Sequence, residues 1–122
     1  MNKKLNVWGR EFDLKVIYDV YEDEEITSIQ NEAYEDFIAK SGELLHSDEE
    51  VKKYCISIDS KNVGDNIDNI FKFVMPTSIY IKRASQNHIV ALLCNYRFDE
   101  EHGIALVYVD GKFSKICTQD DI

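Results

Sequence analysis

Polar and apolar positions alternate over residues 11–18: Phe12, Leu14, Val16 and Tyr18 fall on one side, Glu11, Asp13, Lys15 and Ile17 on the other. This period of two is that of a half-buried strand. Residues 5–8 precede it as a second strand, with the turn at Gly9-Arg10. The period then changes. Ile26, Ile29, Ala33 and Phe37 recur at helical spacing behind Thr27-Ser28-Ile29-Gln30 and stop at Gly42. In that tetrad the Thr hydroxyl and the Gln amide can satisfy the free N–H groups of a helix start. Ser47-Asp48-Glu49-Glu50 predicts a second capping box, followed by Val51, Tyr54, Cys55 and Ile58 at i, i+3, i+4 and i+7. Ile67, Ile70, Phe71 and Val74 predict a third, short helix that ends near Met75-Pro76, because proline disfavours a helical residue before it.

Beyond Pro76 the runs 79–82, 88–98, 103–109 and 112–117 are β-branched and aromatic, as strands require. Asp110-Gly111 between two of them is a hairpin signal of the type I′ kind. Residues 89–94 and 104–109 are apolar on both faces, which predicts central strands covered on both sides or nearly so. Strands, then helices, then strands predict an α+β fold: an antiparallel sheet of about six strands, N-terminal hairpin plus C-terminal meander, with two to three helices packed on it. At 122 residues, without a repeat or linker, the chain reads as one acidic domain over residues 1–122.

Charge narrows the partners. The chain has 14 basic and 23 acidic residues, a formal net charge of -9. That charge repels nucleic acid and anionic membranes and favours basic partners. Residues 1–61 hold 15 acids and 8 bases, residues 62–122 only 8 and 6, so the excess lies in the N-terminal half. Its densest part is Asp19, Glu22, Asp23, Glu24 and Glu25, just ahead of the first helix. Acids there can simply favour the helix dipole, or they can form a patch that docks a basic protein. Glu32, Glu35 and Asp36 extend the acidic run along the helix at spacings of three and four.

Sites for chemistry are not evident. The histidines, His46, His88 and His102, stand at no zinc spacing. His102 follows Asp99-Glu100-Glu101, where an ion is imaginable, but hard-ion loops alternate their ligands and this run does not. No nucleophile elbow or phosphate-cradling glycine loop is present. Cys55, Cys94 and Cys117 are widely spaced in apolar surroundings and read as reduced core thiols of a cytoplasmic protein. The expectation is a non-enzyme with no cofactor and no metal. No apolar stretch suits a membrane span, and residues 1–10 lack the core of a signal peptide.

One segment carries a resemblance. Residues 94–108, with Asp99-x-Glu101-His102-Gly103 at their centre, then Asp110-Gly111-Lys112 and Thr118-Gln119-Asp120, are similar to the C-terminal signature of a bacterial family. Residues 67–76 and 5–21 are similar as well. That family comprises small acidic domains of unknown function related to immunity proteins of contact-dependent inhibition and polymorphic toxin systems. The resemblance implies an immunity protein that neutralises a basic toxin domain, with a nuclease the form that charge favours. Asp19, Glu22, Asp23, Glu24, Glu25, Glu32, Glu35 and Asp36 are then the partner-binding candidates. Two other classes stay open, a small-ligand or ion sensor centred on His102 and a structural interaction subunit. Within the signature, Gly103 can also serve only as the turn residue that lets two central strands pair.

Overall fold

The computed structural model describes residues 1–42, 47–83 and 87–122. In chain order they form β1 (Asn2–Val7), β2 (Arg10–Tyr18), α1 (Ser28–Ala39), α2 (Asp48–Val63), a 3-10 turn (Ile70–Lys72), β3 (Val74–Ile81), β4 (Ile89–Tyr96), β5 (Ile104–Val109), β6 (Lys112–Cys117) and a last 3-10 turn (Gln119–Asp121). The fold is α+β, a six-stranded sheet whose spatial order follows the chain. Residues 89–117 are strands and turns only, as their composition predicts.

The sheet is antiparallel, as expected, at every seam but one. β2 and β3 run parallel, with Lys15 opposite Ser78 and Tyr18 opposite Ile81, while the other neighbouring pairs are antiparallel. Two helices separate β2 from β3, and such a crossover returns the chain to the end where β2 began. The predicted third helix is also absent. Asn69 accepts from the Phe71 N–H and starts a 3-10 turn, after which Val74 opens β3. Pro76 lies at a register shift between β3 and β4, where a ladder tolerates a missing donor.

The core lies on one face of the sheet. Leu5, Leu14, Val16, Ile79, Ile81, Leu92 and Leu106 alternate inward and meet Ala33 and Phe37 of α1 and Val51 and Cys55 of α2. Among the described residues, neither α1 nor α2 contributes to the cluster on the opposite face. Ala91, Ala105 and Val107 are instead covered by Tyr80, Ile89, Leu93, Val109, Cys117 and Ile122. The two central strands are thus buried on both sides, one of them by side chains alone.

Local signals meet different fates. At α1 the capping box forms in full, with Thr27 accepting from the Gln30 N–H and the Gln30 side chain accepting from the Thr27 N–H. At α2 no side-chain cap bond forms: Ser47 has helical backbone angles, φ -87 and ψ -6, where an N-cap is normally extended, and its hydroxyl accepts from the Trp8 indole at 2.6 Å. Trp8 itself holds a left-handed φ of 53° in the β1–β2 turn, beside Gly9 at 88°. That conformation costs a bulky residue about 1–2 kcal/mol, offset here by burial of the ring and its hydrogen bond. Ile58 continues the helical period but is exposed, one residue before the kink of α2 at Asp59. The Asp59 carboxylate accepts from the Tyr96 hydroxyl and from Asn62, both at 2.8 Å. Ile26 precedes the N-cap and is exposed too. The β5–β6 turn has Asp110 at φ 52° and Gly111 at 80°, the pair of positive angles that a type I′ hairpin needs.

Candidate functional site

Because β2 and β3 are parallel, the Asp19–Thr27 segment, Arg83 and His88 gather at one end of the sheet, beyond Tyr18 and Ile81. The segment is built on a closed turn. The Glu24 N–H donates to the Tyr21 carbonyl, and the Tyr21 N–H donates to the Glu24 carboxylate. Arg83, two residues beyond β3, locks it, donating to Glu24 at 2.8 Å with its guanidinium 5.1 Å from the Tyr21 ring centre. Asp19 is held by its own N–H on the Ile81 carbonyl and accepts weakly from the Arg83 N–H at 3.4 Å. Burial, reinforced by the nearby Asp19 carboxylate, pushes the Tyr80 hydroxyl up to about 12.

The eight acidic candidates therefore divide by environment. Glu22, Asp23 and Glu25 are exposed, whereas Asp19 and Glu24 are half-buried in contacts of their own. On α1, Glu32 and Asp36 flank His88 at 3.5 and 3.9 Å, and Asp36 also pairs with Lys40 at 3.1 Å. Glu35 lies on the other side, near enough to Tyr18 to help raise that hydroxyl, after burial and Tyr34. His88 is anchored as well, its N–H on the Asp110 carboxylate and its carbonyl accepting from the Asp110 N–H.

The His102 turn sits at the far end of the sheet, between β4 and β5. Its Nδ1 lies 2.9 Å from Asp99 and its Nε2 3.6 Å from Asp120. The hydrogen bond to Asp99 raises the imidazole above its ordinary value, and the same bond lowers the Asp99 carboxyl. Gly103 has φ +60, and a Cβ there would stand 2.7 Å from the Cys94 carbonyl oxygen, so glycine is required. Gln119 closes the turn, donating to that same carbonyl while its N–H donates to the His102 carbonyl. Within the signature, Asp99, His102, Gly103 and Gln119 thus each have a contact or backbone role in this turn. Among the described residues, no group of three or more His, Cys, Asp and Glu side chains is arranged to hold a metal ion. His46 lies outside the described residues.

Two shallow clefts flank α2 and the His102 end. One, of about 300 Å³, is lined by polar side chains that include Glu49, Lys52, Asn66 and Asp68. The other, of about 230 Å³, is aromatic and includes Phe71, Phe73, Met75, Tyr96 and Arg97. His102 lines neither. Phe71-Lys72-Phe73 and Asn95-Tyr96-Arg97 bring the aromatic cleft together from two separate segments, so no single local pattern in the sequence marks it. Burial pushes the Cys55 thiol up to about 11 and raises Cys94 and Cys117 as well, so none is poised as a nucleophile.

A family model described as "Domain of unknown function (DUF6985)" matches residues 1–122. The chain belongs to that family. The description of DUF6985 names no immunity protein and no toxin. No curated protein and no solved structure matches the chain. Within this DUF6985 domain, no helix of the described residues is long and apolar enough to cross a membrane.

Proposed function

We propose that this domain is a non-enzymatic binding module of the cytoplasm, an immunity protein that neutralises a basic bacterial toxin domain by docking its acidic end on the toxin. A nuclease is the toxin class that fits, because it must carry Lys and Arg to hold phosphates. One observation carries the reading. Glu22, Asp23 and Glu25 are exposed on a turn already held closed by Tyr21, Glu24 and Arg83. Carboxylates on a preformed turn meet a cationic surface with little ordering cost. Glu32 and Glu35, exposed on α1, extend the negative field, while Asp19, Glu24 and Asp36 shape it from within.

The test uses the C-terminal domain of the protein encoded immediately upstream as the probe. Neutralising Glu22, Asp23 and Glu25 to the amides should slow association about tenfold at low salt and flatten its salt dependence, with the fold unchanged. Unchanged rate and salt slope would overturn the reading. So would an upstream gene that encodes no large secreted protein with a variable C-terminal domain.

A further inference from the structure

The end of the sheet opposite the acidic turn has a different surface. Arg10 stands 4.3 Å from the Phe71 ring centre, and Arg97 lies 5.8 Å from that of Phe98. Phe98 in turn contacts Phe73 and Tyr96, with centroids 5.7 and 5.8 Å apart. Phe71, Lys72, Phe73, Met75, Tyr96 and Arg97 line the 230 Å³ cleft, and Arg10 and Phe98 stand beside it through their contacts with Phe71 and Phe73. Phe98 and Met75 are each 40% exposed, large apolar side chains left in water. Aromatic residues, Met and Arg are the types that protein interfaces concentrate at their centres. No carboxylate of the described residues forms an ion pair with Arg10, Lys72 or Arg97. Glu100 is the one acid among the residues that line the cleft.

The acidic turn presents the complementary set. Tyr21 is 66% exposed and Ile26 43%, and between them stand the exposed Glu22, Asp23 and Glu25. Glu24 is spent on Arg83. Three exposed carboxylates framed by two exposed apolar side chains thus stand at one end of the sheet, and at the other, around an aromatic cleft, stand three cations that form no ion pair among the described residues.

We propose that the Tyr21–Ile26 turn of one copy seats in the cleft lined by Phe71, Phe73, Met75 and Tyr96, beside the exposed Phe98, of a second copy of this chain. The Arg10, Lys72 and Arg97 cations meet its carboxylates. Because donor turn and acceptor cleft lie at opposite ends of the β2–β3 direction, the contact is head-to-tail and propagates. Repulsion between two copies of charge -9 opposes it, but this is screened within about 8 Å at physiological salt, whereas contacting pairs are not. The inference stands apart from toxin docking: self-association is measured on this protein alone.

Sedimentation velocity at physiological salt, over roughly 10–500 µM, reads the outcome. Mean mass should rise steadily with concentration and not stop at the dimer. Arg97→Glu with Phe98→Ala should weaken association at least about tenfold, and so should Glu22→Lys with Asp23→Lys and Glu25→Lys. Circular dichroism and thermal melts check that both variants fold; Lys72→Glu, at an exposed position, replaces the first if it does not. An equimolar mixture of the two variants is decisive. Each retains one intact half, so the mixture should form heterodimers and nothing larger. A wild-type chain that stays monomeric throughout overturns the proposal, as does a dimer that never extends, or a mixture that forms no heterodimer.

Discussion

Gln30 is where α1 is fastened to the sheet, and its replacement tests that role directly. The side chain is fully buried. Its amide N–H₂ donates to the Asp19 carbonyl at 2.9 Å and to the Ile81 carbonyl at 3.3 Å, while its carbonyl accepts from the Thr27 N–H at 3.1 Å. One residue thus joins the start of α1 to the ends of both parallel strands. In Gln30→Met the shape is roughly kept and the hydrogen bonds are lost. The Ile81 carbonyl keeps the Asp19 N–H, but the Thr27 N–H and the Asp19 carbonyl lose these partners. At about 1–3 kcal/mol for each buried group left unmatched, less the gain from an apolar side chain, the loss should be about 2–4 kcal/mol. Urea unfolding should show it, with Tm lower by roughly 10 °C. Gln30→Glu should be worse at neutral pH, since a carboxylate would face two carbonyl oxygens. Its pKa in the folded state would be raised, so the folded chain would bind the extra proton and stability would recover as pH falls. A Gln30→Met loss under about 0.5 kcal/mol, less than one ordinary hydrogen bond, would refute the argument.

Three further outcomes are expected. Gly103→Ala should cost about 2–4 kcal/mol, through its left-handed φ and the close Cys94 carbonyl, whereas Gly9→Ala, with φ +88 and open space, should cost only about 1 kcal/mol; equal losses in urea unfolding would contradict this. For His102 and Asp99, the raised imidazole contributes stability below its ordinary 6.5 that is lost as pH rises through the folded value. The lowered carboxyl contributes above its ordinary 3.8, and that is lost as pH falls through the folded value. Their pairing is therefore strongest between those limits, and Asp99→Asn should move the His102 NMR titration towards lower pH; an unmoved midpoint would count against the pairing. Finally, a thiol reagent at neutral pH should modify half-buried Cys117 first, and buried Cys55 and Cys94 only on unfolding; rapid labelling of all three in the native chain would disprove it.

What the sequence disclosed was mostly local. Thr27 and Gln30 are three residues apart, so their capping box could be read directly, and Asp110-Gly111 named its own turn. That Gln30 also reaches Asp19 and Ile81 depends on a strand fifty-one positions away, which no local pattern encodes. Ser47 shows the same limit in reverse. The motif was right for a cap, but an indole thirty-nine positions back took the hydroxyl. Ile67, Ile70, Phe71 and Val74 fit a helical period, yet three of them, Ile67, Ile70 and Val74, are buried from a loop, a 3-10 turn and a strand instead, since spacing alone cannot separate these. The acidic turn was visible by density. Its division into open and occupied carboxylates was not, because Arg83 and His88 arrive from the far side of the crossover.

The parallel seam has a consequence for how the chain assembles. Each antiparallel pair joins strands that follow one another through a turn or loop, but β2 and β3 meet across sixty-three positions, from Lys15 to Ser78. Closing that span costs more chain entropy than any hairpin here, and it postpones the pairing. During synthesis β1, β2 and both helices emerge first, with an unpaired strand edge and no meander on which to dock. They remain a waiting half. The meander β3–β6 supplies the missing edge, so a chain severed within residues 64–69 should behave as two complementary fragments, each incomplete and each the template for the other.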